Sequence, residues 1–168
     1  MYYLVDGDTL RIKFAKSGSW DFKNLSKELE VRLPEGMELK ELAADTVSAD
    51  ISAKGIAADR VIANTVSGDI SLELSEAESL KLNSTSGGIA LGMDAVPDSL
   101  SANTVSGDVV LCLPEGADFT VRWNTVSGSV SSELDMKKDK DNYIFGAGTR
   151  KYELNTVSGN LTLEKRGQ

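Results

Sequence analysis

Residues 103–109 of this chain read NTVSGDV, and close copies of the central TVSG recur along the sequence. Such recurrence indicates either one site used many times or one structural corner built many times. The residue before each copy is Asn five times and Asp once: Asp45, Asn64, Asn83, Asn103, Asn124 and Asn155. These residues are separated by 19, 19, 20, 21 and 31 positions. A repeat of about 20 residues is the signature of a solenoid.

Apolar residues alternate with polar ones on both sides of each TVSG copy, which predicts half-buried β-strands. The apolar positions lie three and one residues before the Asn, and six, eight and ten residues after it. The apolar residues thus lie at odd distances from the Asn before the copy and at even distances after it. We call this the inward parity; because it changes inside the copy, the chain must turn a corner there. We expect glycine to give the backbone the freedom for this bend. These glycines are Gly68, Gly87, Gly107, Gly128 and Gly159, and Ala49 takes their place in the first copy.

This pattern predicts an all-β, single-domain parallel β-helix of about six to seven coils, whose strands pair with their equivalents above and below. The chirality of parallel connections favours a right-handed coil. Within the domain, residues 1–168, we expect a degenerate N-terminal coil or cap over 1–41 and regular coils over 42–134. A loop or hairpin is expected over 135–151, and a last coil over 152–168. The six Asn and Asp side chains would stack into a hydrogen-bonded ladder, with an amide-lined ligand groove as the alternative.

The composition argues against several classes of function. A net charge of −8 without a long basic run disfavours binding to nucleic acid or to anionic lipid. No apolar stretch is long enough to span a membrane, and the first residues, MYYLVDGDTL, lack the pattern of a signal peptide. The chain has no histidine and a single cysteine. We therefore expect no catalytic residue, no metal site, no cofactor and no internal disulfide.

The polar residues of the corner have a structural and a functional interpretation. Thr and Ser, one and three residues after the Asn, share the inward parity, and six equivalent serines indicate a structural role rather than a nucleophile. Carboxylates follow the corner at Asp50, Asp69 and Asp108. We expect these carboxylates to be solvated turn residues, with a weak cation site as the alternative.

Three other side chains could have a function outside the corner. Cys112 falls on the outward parity, with no second thiol or base nearby in the pattern, and is expected to be an incidental surface residue. Tyr143 and Phe145 lie in the 135–151 insertion. We expect both aromatic residues to pack on the sheet, with glycan binding as the alternative.

The valine between Thr and Ser is the open question of the corner. Strict alternation would point it outward, whereas a kink at the Asn would turn it inward. Because long apolar stripes are uncommon on monomers, we expect these valines to face inward or to be covered. If they face outward, they are the best candidate for a partner surface. They are Val47, Val66, Val105, Val126 and Val157, with Thr85 in the third copy.

The copies NTVSGDI and NTVSGDV, together with FGAGTRKYELNTVSGNLTL at residues 145–163, carry a resemblance to a known family. From Gly7 to Lys165 the chain resembles the bacterial adhesin-like family of unknown function that is also described as the toastrack domain. The resemblance implies a β-helical domain of bacterial proteins, often associated with the cell envelope or with envelope-stress operons. It implies no catalytic residues.

Two hypotheses of function follow from these observations. The first is a non-enzymatic scaffold or adhesin-like binding domain of a bacterial envelope protein, which presents a repetitive face to a protein or glycan. The second is a carbohydrate-active enzyme, a glycan lyase or hydrolase, which needs acids on neighbouring coils of one face. A hexapeptide-type acyltransferase is less favoured, because its usual histidine is missing. Self-association through the ends or edges of the helix is compatible with the first hypothesis.

Overall fold

The structure, a computed structural model, describes residues 2–13 and 28–167. The chain divides into two compact units, residues 1–32 and residues 33–168. The described residues are all-β and contain no helix, and so no helix that could cross a membrane. Their strands are β1 (Tyr2–Asp6), β2 (Thr9–Lys13), β3 (Glu38–Asp45), β4 (Ile51–Asn64), β5 (Ile70–Asn83), β6 (Ile89–Met93), β7 (Ser99–Asn103), β8 (Val109–Leu113), β9 (Phe119–Asn124), β10 (Val130–Ser132), β11 (Lys137–Asp139), β12 (Asn142–Phe145), β13 (Arg150–Asn155) and β14 (Leu161–Lys165).

The first unit contains an antiparallel hairpin of β1 and β2, in which Val5 pairs with Leu10. The N-terminal coil or cap predicted over residues 1–41 begins on this hairpin. Part of it falls on residues 14–27, which lie outside the described residues. Residues 28–37 carry no strand, and the predicted cap then runs into β3.

The second unit contains one curled sheet of twelve strands, most of which are parallel to their neighbours. Each TVSG copy joins a strand that ends at the Asn to a strand that begins six residues later. Equivalent residues pair in register, as the sequence predicts: Asn64 lies opposite Asn83, which lies opposite Asn103. We refer to each such unit as a repeat, named by its Asn or Asp.

The order of the repeats in the sheet differs from their order in the chain. Strand β13 pairs with β7 on one side and with β9 on the other. Strand β14 lies in the same way between β8 and β10. The repeat that comes last in the chain is therefore the fifth of six in the sheet. The order across the sheet is Asp45, Asn64, Asn83, Asn103, Asn155 and Asn124.

The core lies where the alternation places it. Positions three and one before the Asn, and six and eight after it, are fully buried in the central repeats, as at Leu80, Leu82, Leu91 and Leu111. Burial of each large aliphatic side chain contributes about 2 kcal/mol, so the sheet is stabilised mainly through these positions. The segments IAADR (56–60) and SEAES (75–79), which lead from one repeat to the next, are parts of the continuous strands β4 and β5.

The 135–151 insertion contains the antiparallel hairpin of β11 and β12, and β12 extends the sheet along the free side of β9. Tyr143 and Phe145 are buried, and the Phe145 ring stacks on that of Phe119 with centroids 4.5 Å apart. Phe119 in turn stacks on Tyr152 at 5.0 Å. The prediction that the two aromatic residues of the insertion pack on the sheet is confirmed.

Candidate functional site

The six Asn and Asp side chains form one continuous ladder across the sheet. Each Asn donates from its Nδ2 to the side-chain Oδ1 of the repeat before it in the order of the sheet, with donor–acceptor distances between 2.7 and 2.9 Å. All five bonds point the same way and end on Asp45, whose ionised carboxylate can only accept. The repeat that departs from Asn therefore lies where the ladder needs no donor.

The hydroxyl one residue after the Asn connects two repeats at the corner. Thr104 Oγ1 accepts from the amide of Gly107 in its own repeat at 3.1 Å and donates to the carbonyl of Gly87 in the preceding repeat at 3.1 Å. Ser84 does the same with Gly87 and Gly68. These hydroxyls are buried, so the inward position predicted for them is confirmed. The two hydrogen bonds of each hydroxyl replace those that it would make with water, as a buried polar group requires.

The corner glycines are needed for close approach rather than for an unusual backbone angle. None of the five has a positive φ. A Cβ on Gly87 would lie 1.9 Å from the carbonyl oxygen of Gly68, and a Cβ on Gly107 would lie 2.1 Å from that of Gly87. The bending freedom expected from the sequence is therefore not their role. Ala49 is tolerated because it is exposed, in the repeat at the edge of the sheet.

A second ladder runs beside the first, from side chain to backbone. Asp50 accepts from the amide of Asp69 at 2.9 Å, and Asp69 accepts from the amide of Gly88 at 2.8 Å. Asp108 accepts from the amide of Asn160 at 2.7 Å. Each carboxylate thus ties one repeat to the next. In residues 2–13 and 28–167, no group of three or more Cys, Asp or Glu side chains is placed to hold a metal ion.

The valines face outward, so the expectation that they are turned inward or covered is wrong. The five are between 44% and 84% exposed, and Thr85 in the third repeat is exposed as well. The serine after each valine is also exposed, which corrects its predicted inward position. The inward parity changes because two successive residues, Val and Ser, both point away from the core. We call this surface the valine ridge: Val47, Val66, Thr85, Val105, Val157 and Val126, in the order of the sheet.

The backbone under the valine ridge is held from repeat to repeat. The amide of Ser67 donates to the carbonyl of Val47 at 3.0 Å, and the amide of Ser86 donates to that of Val66 at 2.9 Å. At the other end, the amide of Ser127 donates to the carbonyl of Val157 at 3.0 Å. The side chains of the ridge therefore stand on a backbone that is fixed in place.

Cys112 is half-buried, not a fully exposed surface residue. Burial raises the pKa of its thiol above the ordinary value. A raised pKa leaves less thiolate at neutral pH, so this cysteine is a poor nucleophile.

An acidic groove on the side opposite to the corner was not found from the sequence. It has a volume of about 490 Å³ and lies where the chain returns from one repeat to the next. Three of its acids already have partners: Asp98 pairs with Arg150 at 3.3 Å, Glu115 pairs with Lys165 at 3.1 Å, and Asp118 accepts from the amide and hydroxyl of Thr149. The acidic composition of the return segments, such as SEAES and PEGAD, was the available signal. The charged residues of the groove are Glu76, Glu78, Asp98, Glu115, Asp118 and Arg150.

The comparisons with known proteins bear on the family alone. The model of the family described as Toastrack DUF4097, a domain of unknown function, matches residues 6–164. No curated protein and no solved structure matches the chain significantly. The matched range covers nearly all of the sequence, including every TVSG copy. The chain therefore belongs to the toastrack family.

Proposed function

We propose that this domain is a non-enzymatic, adhesin-like scaffold of a bacterial envelope-associated protein, and that it binds a partner through the valine ridge. One observation carries the proposal: five valines and a threonine lie exposed in a single line across six hydrogen-bonded repeats. Contiguous apolar surface that stays in contact with water is uncommon on a monomer and marks interaction sites.

The ridge is prepared for binding, because its backbone is already ordered by bonds between repeats. A partner that docks on it does not have to order a loop, and this lowers the entropic cost of association. Valine itself has few rotamers to lose. These properties favour a binding surface over an incidental apolar stripe.

The dimensions of the ridge limit the kind of partner. Six repeats spaced about 4.8 Å apart give a length of about 24 Å, with a width of one valine and one serine. The surface of a strip of this length and width is well below the roughly 800 Å² that each partner buries in a standard protein interface. The ridge therefore suits an extended polypeptide segment, or the apolar centre of a larger contact. A protein is favoured over a glycan, since the exposed large apolar side chains of residues 33–167 are aliphatic.

We also infer that the repeats wind as the coils of a parallel, right-handed β-solenoid. The in-register parallel pairing of equivalent strands and the alternation of the chain between strands on the two sides of the corner support this winding. A crystal structure in which the sheet opened flat, or wound with the opposite hand, would overturn it.

A carbohydrate-active enzyme is the second candidate, on account of the acidic groove. Hydrolysis of a glycoside needs one carboxyl group with a raised pKa to act as general acid. Asp118 has the opposite property, since the hydrogen bond from the Thr149 amide lowers its pKa. Asp98 is also engaged, in a salt bridge with Arg150 at 3.3 Å. These contacts suit a structural role and support the scaffold.

A matched pair of double variants tests the proposal. Val66→Asp with Val157→Asp places two charges on the ridge, while Ser71→Asp with Thr162→Asp places two charges in the same repeats on the neighbouring face. The folding of the wild type and of both double variants is checked by circular dichroism. Each protein is then used as bait in a pull-down of bacterial envelope proteins and is applied to a glycan array. We expect the wild type and the control pair to retain one common partner, and the ridge pair to lose it at least about tenfold, as charge burial requires.

Equal retention by the two variants would place the contact elsewhere and refute the role of the ridge. Retention of glycans alone, lost on substitution of Glu76 and Glu115 to Gln, would favour the acidic groove and the second candidate.

A further inference from the structure

The Asn155 repeat occupies a slot in the sheet that the rest of the chain leaves between two other repeats. We call residues 150–165 the C-terminal segment. Its strand β13 forms in-register pairs with β7 from Lys151 to Asn155 and with β9 from Arg150 to Asn155. Its strand β14 pairs with β8 and with β10. The walls of the slot are therefore the Asn103 and Asn124 repeats.

Every strand pairing of the C-terminal segment is made with other repeats, and none joins β13 to β14. The buried side chains of the segment follow the same rule: Tyr152, Leu154, Leu161 and Leu163 are at most 1% exposed. The Tyr152 hydroxyl donates to the carbonyl of Pro97 at 2.7 Å. The bonds that hold the segment thus depend on the slot and not on which chain supplies the segment.

The slot selects for the TVSG repeat itself. Asn155 donates to Asn103 and accepts from Asn124, each at 2.7 Å, so an acceptor and a donor face each other across the slot. A Cβ at Gly159 would lie 2.1 Å from the carbonyl oxygen of Gly107. An occupant must therefore bring an amide side chain and, four residues later, a glycine.

One short connection delivers the segment to its slot. Residues 146–149 lead from Phe145 to Arg150, which pair with Phe119 from opposite sides. The connection is held by surface bonds: Thr149 donates to Asp118 from its amide and its hydroxyl, and Gly148 accepts from Thr120 Oγ1 at 3.1 Å. Gly146 and Gly148 have φ values of 62° and 73°, so this turn depends on glycine.

We propose that the slot accepts the C-terminal segment of a second copy of this chain, and that two chains exchange these segments to form a closed dimer. Reciprocal exchange reproduces every bond between segment and slot, and alters only residues 146–149. Exchange of an identical element is a low-cost route to a dimer when the connecting hinge opens. This partner is distinct from the one proposed for the valine ridge.

Shortening the connection tests the proposal in the full chain. Phe145 and Arg150 lie two strand spacings apart, about 9.6 Å. Deletion of residues 146–148 leaves two Cα–Cα steps between them, which reach about 7 Å at most. The shortened chain cannot fill its own slot, so we expect light scattering to give the mass of two chains.

Cysteine cross-linking identifies what fills the slot. Ser101 and Glu153 are direct neighbours across β7 and β13. In a Cys112→Ser background, a chain with Ser101→Cys and a chain with Glu153→Cys are refolded together and treated with a short bis-maleimide. We expect a covalent heterodimer from the shortened chains. The control carries Lys81→Cys and Ser101→Cys, which are neighbours across β5 and β7 and link within one chain in either state.

A folded monomer from the shortened chain overturns the proposal, as does a dimer that forms no link between positions 101 and 153. If the shortened chain does not fold, unshortened chains carrying Asp118→Ala and Thr149→Ala decide the question. Refolded together at high concentration, they are expected to give more 101–153 heterodimer than chains with the natural hinge. An unchanged yield would exclude exchange.

Discussion

The Thr104 and Thr125 corners have the same four residues, TVSG, and different structures. Thr104 is 5% exposed, and its hydroxyl bonds to one amide and one carbonyl. Thr125 Oγ1 is buried without a hydrogen-bond partner in the described residues, and Gly128 beside it is exposed. Val126 is 84% exposed, whereas Val105 is 44% exposed.

The difference lies in the neighbours and not in the local sequence. The Asn103 repeat has a repeat on each side, while the Asn124 repeat pairs with a repeat on one side and with the antiparallel hairpin on the other. The neighbouring repeats in the sheet therefore determine which contacts each TVSG residue makes. Paired substitutions can test this conclusion, one at an inner corner, which has a repeat on each side, and one at an outer corner, which has a repeat on one side only.

The largest difference is expected between Gly87→Ala and Ala49→Gly. At the inner position a Cβ would meet the Gly68 carbonyl oxygen at 1.9 Å, so the backbone of two repeats must separate. We expect Gly87→Ala to lower the free energy of unfolding by about 3 kcal/mol. Ala49→Gly, at the exposed edge, is expected to cost less than about 1 kcal/mol. Urea denaturation measures both, and equal losses would contradict the close-approach explanation.

A smaller difference is expected between Thr104→Val and Thr125→Val. The first leaves the Gly107 amide and the Gly87 carbonyl without their partner, which should cost about 2 kcal/mol. The second replaces a buried hydroxyl that has no partner with a methyl group, so stability should stay the same or rise. The urea midpoints of the two variants are compared, with the slope of the free energy of unfolding against urea concentration held the same for both. A loss at Thr125 as large as at Thr104 would show that the outer corner forms the same bonds.

The Asn ladder gives a third pair, Asn83→Asp and Asp45→Asn. Asn83 donates to Asn64 and accepts from Asn103, so an ionised carboxylate at this position places two acceptors against each other. We expect a loss of about 1 kcal/mol at neutral pH. Asp45 only accepts, and Asn can accept equally well, so the reverse substitution should be nearly neutral. Thermal unfolding of the two variants checks the polarity of the ladder.

The smallest effect concerns pH at the connection to the Asn155 repeat. The hydrogen bond from the Thr149 amide holds the pKa of Asp118 below its ordinary value. A lowered pKa stabilises the fold above the pKa of the unfolded chain, about 3.9, and this contribution is lost as the pH falls through the folded pKa. Asp118→Asn should therefore lose less stability than the wild type between about pH 5 and pH 2. Parallel pH profiles would contradict a role for Asp118 in holding the connection.

The sequence was sufficient for the strands, the register and most of the core. Alternation fixes which face of a strand is apolar, and this is why Leu82, Leu111 and Leu163 are buried as expected. The valines were placed wrongly because the rarity of apolar stripes on monomers was weighed above strict alternation, which points them outward. Alternation extended through the corner failed only for the serines, which were expected inward and are exposed. A bend that turns two successive side chains outward breaks the alternation, and the position of that bend is seen only in the folded structure.

The order of the repeats could not be read from the sequence, for a physical reason. Repeats with the same Asn, Thr and Gly satisfy the same contacts, so the pattern is equally consistent with several orders in the sheet. The gap of 31 residues before Asn155 signals an insertion but does not say on which side of β9 the chain returns. The acidic groove was missed because its residues come from return segments with no common pattern.

The position of the Asn155 repeat has a consequence for how the protein is made. A ribosome releases the Asn124 repeat before the strands that must lie between it and the Asn103 repeat. At 5–20 residues per second, an interval on the order of seconds separates the two events. Newly made chains therefore cannot complete the sheet repeat by repeat in the order of synthesis, because the Asn124 repeat pairs with the Asn155 repeat only after β13 and β14 have left the exit tunnel.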